Sequence, residues 1–289
     1  MKKLIERLLI FFLGIPAVVV IVLFLPWYNN LIMNIAAVVL AAIGAVEFSV
    51  MLEKKQSRIS KLESAILGAL APLAITLHVS FGFSYWVIAA IVMSGAGWAL
   101  VSRIFPRSTE IETVTNQIIC GFSLIVYPGF FIYWLIKMNS WNNPGAVLLF
   151  LVITFGTDSI AWLAGTLFGA NNRGLIAVSP NKSIAGFIGG LLGAVLVAVC
   201  AALLFPNIFT FSNVNAPASS IIFYAVFIGF FTGIAAMLGD LAESAMKRSC
   251  NFKDSGNVML GRGGVLDSID SISAAAPVFF LLFSKFFQC

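Results

Sequence analysis

The stretch Gly239–Ser271, GDLAESAMKRSCNFKDSGNVMLGRGGVLDSIDS, is the most polar part of a chain that is otherwise apolar. It contains five acidic residues, four basic residues and five glycines. The apolar runs Ser219–Leu241 and Ser268–Phe287 adjoin it on either side. Polar groups placed against a membrane cost free energy unless they reach water or bind polar partners. The stretch therefore predicts a functional polar loop between two membrane-spanning helices.

The composition of the whole chain gives its class. Of the 289 residues, 60% are hydrophobic and only 10% are charged, whereas soluble domains carry about 25% charged residues. About nine continuous apolar runs come near the ~20 residues that a spanning helix needs. The runs are Leu8–Trp27, Leu31–Leu52, Leu62–Val79, Phe83–Val101, Val114–Ile136, Ala146–Phe168, Ser183–Leu204, Ser219–Leu241 and Ser268–Phe287. They lack the alternation of barrel strands, so we predict an all-α polytopic integral membrane protein with about nine transmembrane helices.

The basic residues predict the orientation of the chain. With nine helices, the N-terminus and the loops after every second helix share one side of the membrane. That side holds Lys2, Lys3, Arg7, Lys54, Lys55, Arg58, Lys61, Arg103, Arg107, Arg173, Lys182, Lys247, Arg248, Lys253 and Arg262, and the other holds Lys137 and Lys285. This asymmetry predicts a cytoplasmic N-terminus and polar loop, and an extracytoplasmic C-terminus. Orientation and anionic lipid head groups also account for the net charge of +5, so no nucleic-acid partner is predicted.

The two halves of the chain differ in their polar residues. Residues 1–137, with about five helices, have few of them and are interpreted as a transmembrane scaffold. Residues 138–289, with about four helices, form the predicted catalytic region, with its active-site loop at 242–267. Glu47 is the exception in the scaffold. A carboxylate inside a membrane helix is a candidate for function. The alternative is that Glu47, which lies within two turns of Glu53, extends to the membrane interface.

Two groups of polar side chains stand at helical spacing on either side of the loop. The first comprises Asp240, Glu243, Ser244 and Lys247, and the second comprises Asp267, Asp270 and Ser271. Each group falls on one helix face, because positions three and four apart are neighbours on a helix. If the two faces meet, their carboxylates repel one another unless a cation lies between them. Mg²⁺ suits such oxygen ligands, since it commonly binds through one or two carboxylates plus substrate phosphates.

Basic side chains and glycines complete the predicted phosphate site. The basic candidates are Lys247, Arg248, Lys253 and Arg262, which can bind phosphate oxygens directly. Glycines such as Gly263 and Gly264 let the backbone approach a bulky polyanion. Lys182 precedes another helix and resembles the lone lysine of a phosphate site, although Ser179-Pro180 there is also an ordinary helix start. Asp158 lies midway along the sixth run, where we expect it to be buried, as a supporting or structural residue.

The polar stretch closely resembles the signature of the phosphatidate cytidylyltransferase, or CDP-diacylglycerol synthase, family. The matching residues are Ser244, Met246, Lys247, Arg248, Lys253, Asp254, Gly256, Gly261, Gly263, Gly264, Val265, Asp267, Ile269 and Asp270. The family's Ser-Pro-x-Lys-Thr block is matched at Ser179, Pro180, Lys182 and Ser183, and its intramembrane Asp-Ser at Asp158 and Ser159. The family usually has His where Arg262 stands and Arg where Ser268 stands.

The resemblance implies transfer of CMP from CTP to phosphatidic acid in the lipid bilayer, which gives CDP-diacylglycerol and pyrophosphate. It implies Mg²⁺ held by Asp240 and Asp267, with Asp270 and Glu243 as supporting or alternate ligands, and K⁺ as a possible second cation. Catalysis would rest on Asp240, Asp267, Lys247, Arg248 and Lys253. Substrate binding would involve Ser179, Lys182, Ser183, Ser244, Asp254, Arg262, Gly263, Gly264 and Asp158. The resemblance also implies a homodimer in the cytoplasmic (inner) membrane.

Two alternatives remain open at this point. One is a related membrane nucleotidyltransferase, or a CTP-dependent lipid kinase, with another lipid acceptor. The other is an ion-coupled transporter that uses Asp158 and Glu47 as a relay. Transporters often show broken helices in matched halves, and the chain has no such symmetry. The four cysteines show no spacing typical of a disulfide framework or a zinc site.

Overall fold

The computed structural model describes residues 13–55, 58–104, 111–141, 143–174, 176–210, 219–259 and 263–287. These residues are almost entirely helical, and within them only isolated β-bridges join extended segments, at Arg173 with Ser183 and at Met259 with Gly263. The helices are α1 (Ile15–Phe24), α2 (Trp27–Glu53), α3 (Lys61–Phe81), α4 (Tyr85–Val101), α5 (Val114–Leu124), α6 (Phe131–Met138), α7 (Pro144–Phe168), α8 (Ile184–Leu204), α9 (Ser219–Ser249) and α10 (Leu266–Phe286). The prediction of an all-α protein is confirmed.

The helices are long and apolar enough to make a polytopic membrane protein. Within the described ranges, seven helical spans can cross a membrane by length and composition. They are Trp27–Glu53, Lys61–Phe81, Ile111–Met138, Pro144–Phe168, Ile184–Leu204, Ser220–Ser249 and Leu266–Phe286. Two shorter apolar helices, Ile15–Phe24 and Tyr85–Val101, match the remaining predicted runs. Every predicted apolar run therefore has its helix, and the chain is an integral membrane protein.

Two helices depart from the predicted bounds. The apolar run that ends at Leu241 continues as helix to Ser249, because its polar residues Glu, Lys and Arg are good helix formers. The predicted helix Val114–Ile136 is broken by a wider turn at Ile125–Phe130. Pro128 lies in that turn, and proline cannot donate a helical hydrogen bond.

Polar caps fix where several helices begin. Ser60, Ser84, Asn143 and Ser183 each precede a helix and accept a hydrogen bond from a backbone N–H in its first turn. Such caps satisfy donors that a helix leaves open at its start. The cap at Ser183 is the one that concerns the site, since it sets the start of α8 immediately after Lys182.

The chain divides into two compact units, and the division falls within α9 and α10. The first unit comprises Met1–Ser140 and Lys247–Ile269. Its helices α2 and α3 pack closely where Gly68 meets the backbone of Ala41. The predicted division between scaffold and catalytic region at residue 137 concerns function, and it stays a prediction.

The second unit comprises Trp141–Met246 and Asp270–Cys289. A glycine stripe on α8, at Gly186, Gly190 and Gly193, packs against α7, where Ala161 and Ile160 leave no room for a Cβ. Small residues of this kind let membrane helices approach closely, so packing explains the stripe, as the sequence indicates. The unit also holds a cluster of aromatic rings. Trp141 stacks on Phe280 and Phe283, Phe279 stacks on Phe283, and Phe287 is tilted against Phe283.

Candidate active site

Helix α9 carries the first predicted group of polar side chains. Because it is continuous from Ser219 to Ser249, Asp240, Glu243 and Ser244 share one face of it. Glu243 is fully buried and Asp240 is half-buried. The hydroxyl of Ser244 donates to Asp240 Oδ1 at 3.5 Å, which is a weak contact. Asp240 is thus the carboxylate of this face that remains accessible.

Asp240 is paired with a lysine from a distant part of the sequence. Lys182 Nζ lies 2.5 Å from Asp240 Oδ2, and the two side chains are 26% and 33% exposed. Lys182 closes a turn with Ser179, donating its backbone N–H to the Ser179 carbonyl at 3.1 Å. The next residue, Ser183, accepts from Gly186 N at 3.0 Å. These bonds fix the backbone at Lys182, so its ammonium is held beside a carboxylate while both remain open to a ligand.

The second unit gathers further carboxylates around Asp270. Asp270 is 7% exposed and interacts electrostatically with Asp240, Glu243 and Asp158. Its neighbour Ser271 donates its hydroxyl to Asp158 Oδ1 at 3.4 Å. Asp240, Glu243 and Asp158 therefore lie near enough to Asp270 for their negative charges to interact with it.

The expectation that Asp158 is buried is wrong. The side chain is exposed. The face of α7 that packs against α8 carries Thr157 and Ala161, and Asp158 lies about 100° further around the helix than Thr157. Its polar neighbour is Ser271, as described above, so Asp158 lies next to the carboxylates of this unit.

Asp267, in the first turn of α10, is the most firmly held carboxylate of the predicted site. Its Oδ1 accepts from Lys247 Nζ at 2.5 Å. Its Oδ2 accepts from the backbone N–H groups of Ser255 at 2.9 Å and Gly264 at 2.7 Å. The Ser255 hydroxyl also donates to it, at 3.0 Å. The Asp267 side chain is only 9% exposed, so the loop and the helix start are organised around one anionic group.

The loop that precedes α10 depends on a glycine for its backbone conformation. Gly263 has φ +101°, a conformation that side-chain-bearing residues rarely adopt. A Cβ there would also lie 2.6 Å from Asp267 Oδ2. The predicted phosphate-binding residues Arg248 and Lys253 and the predicted substrate-binding residue Asp254 are exposed. Arg262 lies outside the described residues.

The carboxylates suit a magnesium ion that is bound jointly with a substrate. Across the residues that the structure describes, no group of three or more His, Cys, Asp or Glu is arranged to hold a metal by itself. Mg²⁺ commonly takes one or two carboxylates and completes its coordination with water and substrate phosphates. Asp240 and Asp267 each offer such a carboxylate, with a lysine that balances its charge. Binding of Mg²⁺ by these residues stays a prediction.

Sequence reasoning missed two residues of this arrangement. Glu47 is only 7% exposed, and its carboxylate contacts the loop. It accepts from Val265 N at 3.0 Å and Leu266 N at 2.9 Å. The Ser255 hydroxyl lies 3.0 Å from Glu47 Oε2 as well as 3.0 Å from Asp267 Oδ2, and its one proton can be donated to either carboxylate. The sequence could have identified Glu47 as a site residue, since a carboxylate within an apolar run needs polar partners. Nothing in the sequence distinguishes Ser255 from other loop serines.

Comparison with known proteins finds relatives of this chain. The chain is 32% identical over 163 residues to a phosphatidate cytidylyltransferase of Bacillus subtilis, and the alignment covers 56% of each chain. It is 34% identical over 168 residues to a phosphatidate cytidylyltransferase of Thermotoga maritima, covering 57% of this chain and 59% of that one. It is also 32% identical over 210 residues to the uncharacterized protein YnbB of Escherichia coli, covering 70% and 66%.

The alignments span a little over half the length of the two phosphatidate cytidylyltransferases. The match to the Cytidylyltransferase family is more extensive, since it runs from residue 5 to residue 286. It includes α2 with Glu47 as well as the polar loop and both lysine–carboxylate pairs. The chain therefore belongs to the cytidylyltransferase family.

Proposed function

We propose that the protein is a phosphatidate cytidylyltransferase. It would transfer CMP from CTP to phosphatidic acid and release CDP-diacylglycerol and pyrophosphate. The observation that carries this proposal is the organisation of the signature loop around Asp267, whose carboxylate is fixed by Lys247, Ser255 and Gly264. Family membership and the names of the two relatives described above support the same conclusion.

The reaction needs little acid–base chemistry from the protein. The phosphate of phosphatidic acid is already anionic, so one of its oxygens can attack the α-phosphorus of CTP. The bond from the α-phosphorus to the bridging oxygen of the β-phosphate breaks, and pyrophosphate leaves with that electron pair. Catalysis then comes from positioning and from stabilising charge on the phosphate oxygens. Lys182, Lys247, Arg248, Lys253 and Arg262 are the cations that would bind these oxygens.

Metal ions would share this task. Asp240 and Asp267 would hold Mg²⁺, with Asp270 and Glu243 as supporting or alternate ligands, and K⁺ is proposed as a second cation. The bound ion would neutralise negative charge on the CTP phosphates. Each of the two aspartates has a lysine 2.5 Å away. When phosphates and Mg²⁺ enter, that lysine can exchange its carboxylate partner for a phosphate oxygen.

The substrates also suit the predicted location. CTP is soluble and phosphatidic acid lies in the bilayer, so the reaction needs a polar site at the membrane surface. The distribution of basic residues supports a cytoplasmic N-terminus and active-site loop in the inner membrane, with the C-terminus outside. Reporter fusions at residue 289 and cysteine labelling in the 251–259 segment test this orientation. The resemblance to the family supports a homodimer, which native mass spectrometry tests.

The test of function is pyrophosphate release by the purified protein in mixed micelles. Assays would contain CTP and phosphatidic acid, with and without Mg²⁺, and with K⁺ replaced by Na⁺. Release that needs both substrates and Mg²⁺, and that Asp267→Asn abolishes, supports the proposal. Glu112→Gln, an exposed carboxylate outside the site, is the matched control and should keep full activity.

The products separate the proposal from its alternatives. A nucleotidyltransferase with another lipid acceptor would release pyrophosphate only when that acceptor replaces phosphatidic acid. A CTP-dependent lipid kinase would release CDP instead of pyrophosphate. Either result, from a protein that retains its fold, would contradict the proposed reaction.

A further inference from the structure

Glu47, on α2, contacts the active-site loop although it lies far from it in sequence. We propose that Glu47 is a positioning residue, which fixes the loop and the start of α10 so that Asp267 is held in its working geometry. This inference rests on the proposed function, since it assigns a role within that site. It concerns only residues of the first unit.

The carboxylate of Glu47 caps α10 from outside that helix. Its two oxygens accept from the backbone N–H groups of Val265 and Leu266, at 3.0 and 2.9 Å. These donors lie at the start of α10, where a helix leaves its N–H groups without partners of its own. A negative charge there also interacts favourably with the helix dipole. Because Asp267 is the next residue, the cap on Leu266 fixes the backbone that carries it.

Ser255 connects the two carboxylates. Its hydroxyl oxygen lies 3.0 Å from Glu47 Oε2 and 3.0 Å from Asp267 Oδ2. It is also 3.2 Å from the backbone nitrogen of Asp267, from which it accepts. A serine hydroxyl has one proton to donate, so the two carboxylates compete for it. The position of Glu47 therefore influences how Ser255 supports Asp267.

The loop backbone is shaped to fit the Glu47 side chain. A Cβ added at Gly256 would collide with Glu47 Oε1, and it would lie 2.8 Å from Cδ and 3.2 Å from Cγ. The three nearest atoms all belong to Glu47. The glycine thus lets the loop lie directly against the carboxylate, which makes this a contact that a second mutation can test.

The first experiment compares Glu47→Gln, Glu47→Asp and the wild type in the pyrophosphate assay. Glu47→Gln places an amide N–H₂ where backbone donors point, so kcat should fall about 100-fold, while the KM values for both substrates change less than about threefold. Glu47→Asp keeps the charge and should restore part of kcat. Glu53→Gln, an exposed carboxylate on the same helix, is the control and should match the wild type.

The second experiment measures coupling between Glu47 and Gly256. Gly256→Ala alone should lower kcat at least about tenfold, because its Cβ displaces the loop. In a Glu47→Ala background the Cβ has room, so Gly256→Ala should lower kcat less than about threefold. Independent, multiplicative losses would contradict the proposed contact. A merely structural role for Glu47 would lower the unfolding temperature without this coupling in kcat.

Hydrogen exchange gives a readout that does not depend on activity. In Glu47→Gln, the backbone amides of Val265 and Leu266 should exchange at least about tenfold faster, while those in α3 keep their wild-type rates. If the wild type is inactive, the proposed function fails and the exchange result still tests the positioning role. If the wild type is active but Glu47→Gln retains both its kcat and its exchange rates, the positioning role is overturned.

Discussion

Asp267 and Asp240 each pair with a lysine at 2.5 Å, yet their surroundings differ. Asp267 is 9% exposed and accepts three further hydrogen bonds from Ser255 and Gly264. Asp240 is 33% exposed, and its other hydrogen bond comes from Ser244 at 3.5 Å. One carboxylate is therefore built into the protein framework, and the other is adjustable. Asp267 is thus a fixed anion of the first unit, whereas Asp240, in the second unit, is accessible enough to exchange its partner for a ligand.

The largest difference should appear when each carboxylate is neutralised. Asp267→Asn should lower activity about 1,000-fold, because several kcal/mol of charge stabilisation is lost. It should also destabilise the fold by about 1–3 kcal/mol, since an amide nitrogen replaces an oxygen that accepts hydrogen bonds. Asp240→Asn should lose activity without that loss of stability. Kinetic assays and thermal unfolding of both variants check this, and equal destabilisation by both would refute the contrast.

A second difference should appear when the lysines are removed. Lys247→Met leaves a nearly buried carboxylate without its cation and should destabilise the protein by about 3 kcal/mol. Lys182→Met disrupts a more exposed pair and should cost less than about 1 kcal/mol. Denaturant unfolding in detergent measures both. An equal loss of unfolding free energy in the two variants would mean that the difference in exposure does not affect how much each ion pair stabilises the protein.

The backbone around Asp267 can be tested independently of charge. Gly263→Ala should cost about 1–3 kcal/mol, since φ at this position is +101° and its Cβ would crowd Asp267. Gly97 lies in α4, where an added Cβ would meet no atom within 4 Å. Gly97→Ala should therefore be neutral or stabilise by up to about 1 kcal/mol. Thermal unfolding distinguishes them, and a neutral Gly263→Ala would show that the loop is not fixed.

The smallest effect should come from the weak contact of Asp240. Ser244→Ala removes a 3.5 Å hydrogen bond and should change stability by less than about 1 kcal/mol. Since Ser244 is also a predicted substrate-binding residue, its loss should raise KM, while kcat stays within about threefold. Steady-state kinetics against the wild type measure both constants. A loss of kcat above about tenfold would mean that Asp240 is held more firmly than its surroundings indicate.

The sequence predicted the helices well because lipid imposes long apolar runs on them. It also predicted the signature residues, since their order along the chain is the signal. It could not predict the partners of Glu47, which lie 208 to 219 residues away, because spacing reports only on neighbours along one element. The predicted burial of Asp158 was wrong for a related reason. The face that α7 turns toward α8 depends on packing, which spacing along one helix does not report.

Helix α9 has a further consequence through its length. Its 31 residues extend about 46 Å, whereas the hydrocarbon core of a bilayer is about 30 Å thick. The excess carries Lys247 and Arg248 past the apolar part of the helix. A thinner bilayer favours tilting of such a helix and thereby changes the depth of its charged end. Membrane thickness thus becomes a physical variable of the proposed reaction, and its rate should vary with the acyl-chain length of the host lipid.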